Sequence, residues 1–213
     1  MEKPVLQDKG NVAVFDEPPL SHAEALLLKY IRAKDGNRPH VLQGVFAEDA
    51  LLEMAVQSDN IDFPPAVESS DAIVDILVRK FAAKYENVYT FYLQRPPVDE
   101  RINAFTCHWL VGMTDKETGT GRVGTGTYRW QFSDATPMQV ISLRIDIECM
   151  EIVPVEAALP MLNWVTSLPY PWANARDVLR CAPQLETLRP VYAAIRRRDA
   201  ATSGEAESIK DSF

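Results

Sequence analysis

The sequence predicts an α+β domain: N-terminal helices packed on a cone-like, curved antiparallel sheet and enclosing a pocket, followed by a C-terminal helical extension. Three observations carry this. Helical periodicity dominates before residue 86, and four segments rich in β-branched and aromatic residues follow between Val88 and Ile152, joined by short turns, the pattern of an antiparallel meander. Strand and helix do not alternate as a doubly wound fold requires. A chain of 213 residues with 46% hydrophobic content is long enough for one domain with a sizeable core.

Residues 1–20 carry Gly10, Pro18 and Pro19 without a clear period and are read as an arm. Ser21 caps the first helix, with Glu24 placed for a capping box and Leu26, Leu27, Tyr30 and Ile31 at helical spacing. Asp35-Gly36-Asn37 ends it, and Pro39 opens a short second helix with Leu42, Val45 and Phe46 inward. Glu48-Asp49 makes a turn before a strand over Ala50–Val56, and Pro64-Pro65 mark a loop. Ser69 or Ser70 caps a third helix with the stripe Ile73, Leu77, Val78 and Phe81, broken at Glu86-Asn87. Strands follow over Val88–Leu93, Phe105–Met113, Val123–Phe132 and Val140–Ile152. Helix returns over Val155–Val165, around Val178 and over Leu185–Ile195. The organisation is thus an arm (1–20), a domain (21–153), a helical extension (154–198) and a polar, disordered tail (199–213).

The net charge is -8 and the pI about 5.0. An acidic chain repels phosphate backbones, which argues against nucleic acid as a partner. The one dense basic run, Arg196-Arg197-Arg198, follows a predicted helix, where cations suit the negative end of the dipole. Cys107, Cys149 and Cys181 are widely spaced and odd in number, which fits neither a disulfide framework nor a zinc cluster. No cofactor or metal signature stands out. No apolar run reaches the roughly 18 residues a membrane helix needs, and Met1–Pro19 is too polar for a secretory signal, so the expected setting is cytoplasmic, without membrane association.

Period-2 alternation sorts the strand side chains. One face carries Tyr128, Trp130 and Phe132 with Ile141, Leu143, Ile145, Ile147 and Cys149; the other carries Thr125, Thr127, Arg129 and Gln131 with Ser142, Arg144, Asp146, Glu148 and Met150. The helices must cover the apolar face. The polar face is either solvated, with cross-strand ion pairs of Arg129 or Arg144 with Asp146 or Glu148, or a dimer interface.

Element order and three short stretches give a resemblance. Ala33-Lys34-Asp35-Gly36-Asn37 matches a helix-ending D-x-x-D/N turn, Val45-Phe46-Ala47-Glu48-Asp49-Ala50 an F-A-x-D-A run leading into the first strand, and Gly124-Thr125-Gly126-Thr127-Tyr128 a G-x-Y strand. Over Ser21–Val153 the chain resembles the nuclear transport factor 2-like superfamily, in its polyketide cyclase-like (SnoaL-like) branch. The resemblance implies a cone with a mostly apolar pocket, a small hydrophobic ligand and a homodimer packed sheet against sheet. It does not fix an activity, because the superfamily holds enzymes and binding modules alike. The extension from Pro154 goes beyond the usual family domain.

The ketosteroid isomerase branch tests the enzyme reading. Tyr30 matches its oxyanion-hole Tyr, Tyr128 falls where its oxyanion-hole Asp lies, and Met54 occupies the place of its general base. A thioether cannot take a proton from carbon, although two phenols can donate to a carbonyl or enolate. His40, early in the second helix, and His108, on a strand beside Trp109, are replacement bases or ordinary histidines; His108 with Asp35 or Asp49 would mimic the His–Asp pairing of the dehydratase branch. Tyr30, Met54, Trp109, Tyr128 and Trp130 line a ligand pocket or are core residues. Glu53 reads as outward. Gly119-Thr120-Gly121-Arg122-Val123-Gly124 spells G-x-G-x-x-G, but a strand follows where a dinucleotide site needs a helix, so these glycines serve a hairpin and a strand bend.

The function expected is binding of a small hydrophobic metabolite, with lyase, isomerase or hydrolase chemistry through pocket His and Tyr groups, or else a non-catalytic ligand-binding or dimerisation module. An inward His touching Tyr30 or an Asp favours the enzyme; a cavity lined only by Met54 and aromatics favours binding. A further alternative makes the extension, with Trp164, Tyr170 and Trp172, a docking surface.

Overall fold

The computed structural model describes residues 20–98 and 101–210. The expected N-terminal arm lies outside these residues except for Leu20. Helix α1 (His22–Asp35) starts on Ser21, whose hydroxyl accepts the Glu24 amide at 3.2 Å, and ends at Gly36. A 3-10 turn, Pro39–Leu42, leads into β1 (Phe46–Val56). The strand begins at Phe46 rather than Ala50: Glu48-Asp49 forms not a turn but a bulge, where β1 shifts register against its neighbour between Phe46 and Leu51. The Pro64-Pro65 loop runs into a three-residue edge strand, β2 (Ala66–Glu68), too short to register as a period. Ser69 then caps α2 (Ser70–Val74), which continues through a π-helical stretch, Asp75–Lys80, into α3 (Phe81–Lys84).

Four long strands follow: β3 (Tyr85–Tyr92), β4 (Ala104–Asp115), β5 (Gly121–Phe132) and β6 (Val140–Val153). Sheet order is β2-β1-β6-β5-β4-β3. The meander β3–β6 is antiparallel as expected, but β1 runs parallel to β6, so the sheet is mixed. The whole of β2–β5 forms the crossover that a parallel pair needs. Gly119, with φ +69°, turns the β4–β5 hairpin, and the G-x-G-x-x-G run passes into a strand, β5, from Gly121 onward rather than into a helix, as expected.

Strict alternation misplaces both ends of β6. Residues 141 and 148 are unpaired extras in the β5–β6 register, so each bulge flips the strand by one residue. Ile141 therefore stands 41% exposed while Val140 is buried, and Met150 turns inward in place of Cys149.

The inner face, with Leu143, Ile145, Ile147, Tyr128 and Trp130, packs under α1, α2 and α3. On the outer face the extension builds a second core. Helices α4 (Val155–Thr166), α5 (Ala175–Arg180) and α6 (Arg189–Lys210) bury Trp164, Val165, Val178, Val191 and Ile195 against Phe91, Leu110 and Val123. Trp164 is thus a core residue, its indole donating to the Val178 carbonyl at 3.1 Å, and not part of an exposed docking cluster. Helix α6 runs past residue 199, where the sequence suggests a disordered tail, to Lys210. Arg196–Arg198 consequently lie in mid-helix rather than at its end; Arg197 and Arg198 both pair with Glu148 of β6. The uncovered remainder of the outer face carries the expected cross-strand pairs, Arg129 and Arg144 sharing Asp146, with Arg144 also reaching Glu53 at 3.8 Å. Among the described residues no helix is long and apolar enough to cross a membrane.

Candidate functional site

Between the inner face and the helices lies a cavity of about 40 Å³. Its walls come from α1 (Tyr30, Lys34), β1 (Met54), the π-helical stretch and α3 (Leu77, Phe81), and β4–β6 (Trp109, Val111, Met113, Tyr128, Ile145, Ile147, Met150), with Ile61 and Phe63 contributed by the β1–β2 loop. Three unbranched thioethers, Met54, Met113 and Met150, give the wall adaptable surface that can move aside for a larger guest.

Four of the five residues expected at the ligand site, Tyr30, Met54, Trp109 and Tyr128, line this cavity together. Trp130 stands behind it, edge-to-face with Tyr30 at 5.1 Å between ring centroids. Tyr30 also meets Tyr128 edge-to-face at 5.9 Å, and Tyr128 meets Trp109 at 5.6 Å. These rings are fully buried, and burial is the main reason both phenols titrate far above the usual range. Each stays a neutral O–H donor at any physiological pH.

The polar atoms in this apolar shell are unusual for being unspent. Trp109 Nε1 and Trp130 Nε1 are buried without a hydrogen-bond partner, and Tyr30 Oη has no partner at ordinary hydrogen-bond geometry, the Tyr128 hydroxyl being the polar group it faces. A buried donor left unpaired costs about 1–3 kcal/mol, so such groups are rare unless something else satisfies them.

Lys34 is the residue sequence reasoning passed over. Its side chain is 8% exposed, and Nζ donates to Asp35 Oδ1 at 2.9 Å and Thr90 Oγ1 at 2.7 Å while lying 4.6 Å from the centre of the Phe81 ring. The signal was present: Lys34 follows Tyr30 by four residues and so shares its helix face. A lysine in the last turn of a helix is usually solvated, which hides it.

The two candidate bases do not reach this cavity. His40 is exposed to solvent on the 3-10 turn. His108 alternates with Trp109 along β4, so when Trp109 points inward His108 must point outward. It lies half-buried under the extension, in a separate crevice of about 160 Å³ with Gln94, Asn174 and Arg198. Arg198 Nη1 donates to His108 Nδ1 at 3.0 Å, which makes Nδ1 an acceptor and leaves the proton of the neutral ring on Nε2. Burial first, then the Arg198 guanidinium, lowers the His108 pKa below its ordinary 6.5. Neither Asp35 nor Asp49 pairs with it: Asp35 is held by Lys34, Thr90 and Tyr170. Among the described residues no group of three or more His, Cys, Asp or Glu is placed to hold a metal ion.

The cavity can therefore donate hydrogen bonds, and the oxygen acceptors its side chains offer are phenol hydroxyls, which are too weakly basic to take a proton from carbon. The lining holds no His, Asp or Glu.

No protein-family model matches the chain, and no curated protein does. Solved structures match in fold. A hexachlorocyclohexane dehydrochlorinase, LinA type 2, aligns over 62% of this chain and 86% of its own at 9% identity and a TM-score of 0.51. A type 3 LinA from Novosphingobium barchaimii aligns over 62% and 88% at 8% identity and a TM-score of 0.48. A Catenulispora acidiphila protein with a ketosteroid isomerase-like fold aligns over 65% and 92% at 14% identity and a TM-score of 0.44. The likeness to the LinA type 2 structure is one of fold: a curved, unclosed mixed sheet with helices packed on it, the cone that the resemblance implied.

Proposed function

We propose that the domain binds a small, uncharged, largely apolar molecule bearing one hydrogen-bond acceptor, such as a ketone or aldehyde on an aromatic or hydrocarbon frame, and holds it without turning it over. One observation carries this: buried donors without partners, Tyr30 Oη and Trp109 Nε1, on the wall of an apolar cavity. An acceptor placed between them gives these donors bonds that no side chain of the protein supplies. The ligand is uncharged because Lys34 is already neutralised by Asp35, so an anion would meet a balanced pair and lose its hydration for little return. Turnover by proton abstraction needs a base within hydrogen-bond reach; Met54, a thioether, lines the cavity, and His40 and His108 lie elsewhere. A homodimer packed sheet against sheet would have to use the strip around Arg129, Asp146 and Arg144, because α4 and α6 cover the rest of the outer face.

The test is a titration with an isosteric pair, acetophenone and α-methylstyrene, in which a carbonyl oxygen is exchanged for a methylene, alongside benzoate. The indole N–H resonances of Trp109 and Trp130 report binding. Acetophenone should bind about tenfold tighter than α-methylstyrene, the worth of roughly one hydrogen bond, and benzoate should not compete. Equal affinities for the first pair would remove the basis of the reading.

A further inference from the structure

The extension reaches the ligand site through two side chains: Trp172 stacks on Tyr92 at 4.9 Å, behind Tyr128, and Tyr170 reaches Asp35. Tyr170, on the segment after α4, donates from Oη to Asp35 Oδ2 at 3.0 Å across 135 residues of sequence. Its ring is wedged edge-to-face against Tyr89 at 6.0 Å and Phe91 at 5.7 Å, both on β3. The backbone beside it is strapped to the end of the same strand: the Tyr92 amide donates to the Pro171 carbonyl at 2.8 Å, and the Ala173 amide to the Tyr92 carbonyl at 3.0 Å. Tyr170 is therefore held from two sides and aims its hydroxyl at a fixed point.

That point matters because of what Asp35 holds. Its carboxylate accepts from Lys34 Nζ, from Thr90 Oγ1 at 2.9 Å and from the Thr90 amide at 2.6 Å, besides Tyr170. Three of the four contacts come from α1 itself and β3; the fourth comes from the extension. Asp35 and Tyr170 also line a surface crevice with Arg32 and Arg38. Released by Tyr170, Asp35 has two guanidinium groups on that side to turn toward, and Lys34 would follow its counter-ion away from the cavity wall. We infer that Tyr170 is a positioning residue that keeps the Lys34 ammonium at the cavity wall through Asp35, which makes the C-terminal extension part of the ligand site. Resting on the proposed binding reading, this assigns the extension the task of holding Lys34 in the cavity wall beside Phe81, where its side chain completes the surface the ligand packs against.

The experiment is a double-mutant cycle on the full chain: acetophenone affinity of the unaltered protein, Y170F, K34M and the double variant, with benzoate as a second probe. Y170F should bind acetophenone about three- to tenfold more weakly, the range for loss of a bond to a charged group passed on through one partner. The same change should cost nothing in the K34M background. Additive losses, or an unchanged affinity in Y170F, would overturn the inference. If neither probe binds any of the four proteins, the cavity reading fails by itself, and the ¹⁵N resonance of the Lys34 ammonium decides the positioning claim alone. A resonance moved or broadened in Y170F sustains it; a resonance identical to that of the unaltered protein refutes it.

Discussion

Replacing Tyr30 with Phe removes one oxygen atom from the cavity wall and should move stability and binding in opposite directions. The ring stays: its edge-to-face contacts with Phe46 at 6.5 Å, Tyr128 at 5.9 Å and Trp130 at 5.1 Å do not involve the hydroxyl. What leaves is a buried donor without a partner. A hydroxyl that no side chain satisfies costs about 1–3 kcal/mol, and the small void left by its removal returns part of that, so the variant without ligand should gain about 1 kcal/mol. In urea this reads as a higher midpoint with an unchanged slope. The liganded protein loses a bond to the acceptor, so acetophenone should bind about tenfold more weakly, or about 1.4 kcal/mol. Most substitutions of fully buried residues destabilise, which makes the predicted sign discriminating. A variant that is less stable and binds acetophenone unchanged would show that the hydroxyl has a partner in the empty protein and serves packing alone.

Three further predictions follow from neighbouring features. At Gly126 an added Cβ would stand 1.8 Å from the Asp146 carbonyl oxygen and 2.6 Å from the Trp109 ring, beside the β6 bulge, so Gly126→Ala should cost about 3 kcal/mol or more and disturb the cavity together with the fold, read by denaturation and by the Trp109 indole resonance. His108 is depressed below 6.5 in the fold by burial and by Arg198, with Arg129 acting the same way and Glu148 and the Gly126 carbonyl opposing. As pH falls through 6.5 the unfolded chain takes up that proton before the native state does, so stability drops toward the lowered native pKa; His108→Gln, which keeps an acceptor for Arg198, should flatten this part of the profile measured by denaturation from pH 8 to 5. Thiol alkylation should follow exposure: Cys181, exposed, reacts first; Cys149, pushed up to about 11 by burial and by Glu148 and Glu151, reacts slowly; Cys107, buried and raised further, reacts only on unfolding.

The inner half of this architecture is written in local patterns. The Ser21 cap, the stripe through Tyr30 and the alternation in β5 act over a few residues, so they can be read from the chain, and they suffice to bring Tyr30, Met54, Trp109 and Tyr128 to one cavity. What escaped reading is non-local. The β6 bulges depend on how β5 pairs with it, so nothing within the strand signals that Met150 turns in and Ile141 out. The parallel β1–β6 pairing joins segments almost a hundred residues apart. Lys34 looks like an ordinary helix-end cation until Asp35, Thr90 and Tyr170 close around it, and Tyr170 arrives from beyond the part of the chain that the family resemblance covers. His108 shows the complementary error: its residue type invited a catalytic role, while its position next to Trp109 on a strand already placed it on the opposite face.

A crystal structure of the full chain with acetophenone shows directly whether the inner cavity takes a neutral acceptor. The aromatic ring should lie among Met54, Met113 and Met150, with the carbonyl oxygen within hydrogen-bond distance of Tyr30 Oη and Trp109 Nε1. A ligand found instead in the crevice beside His108 and Arg198, with the inner cavity closed by its own side chains, would contradict the proposed binding.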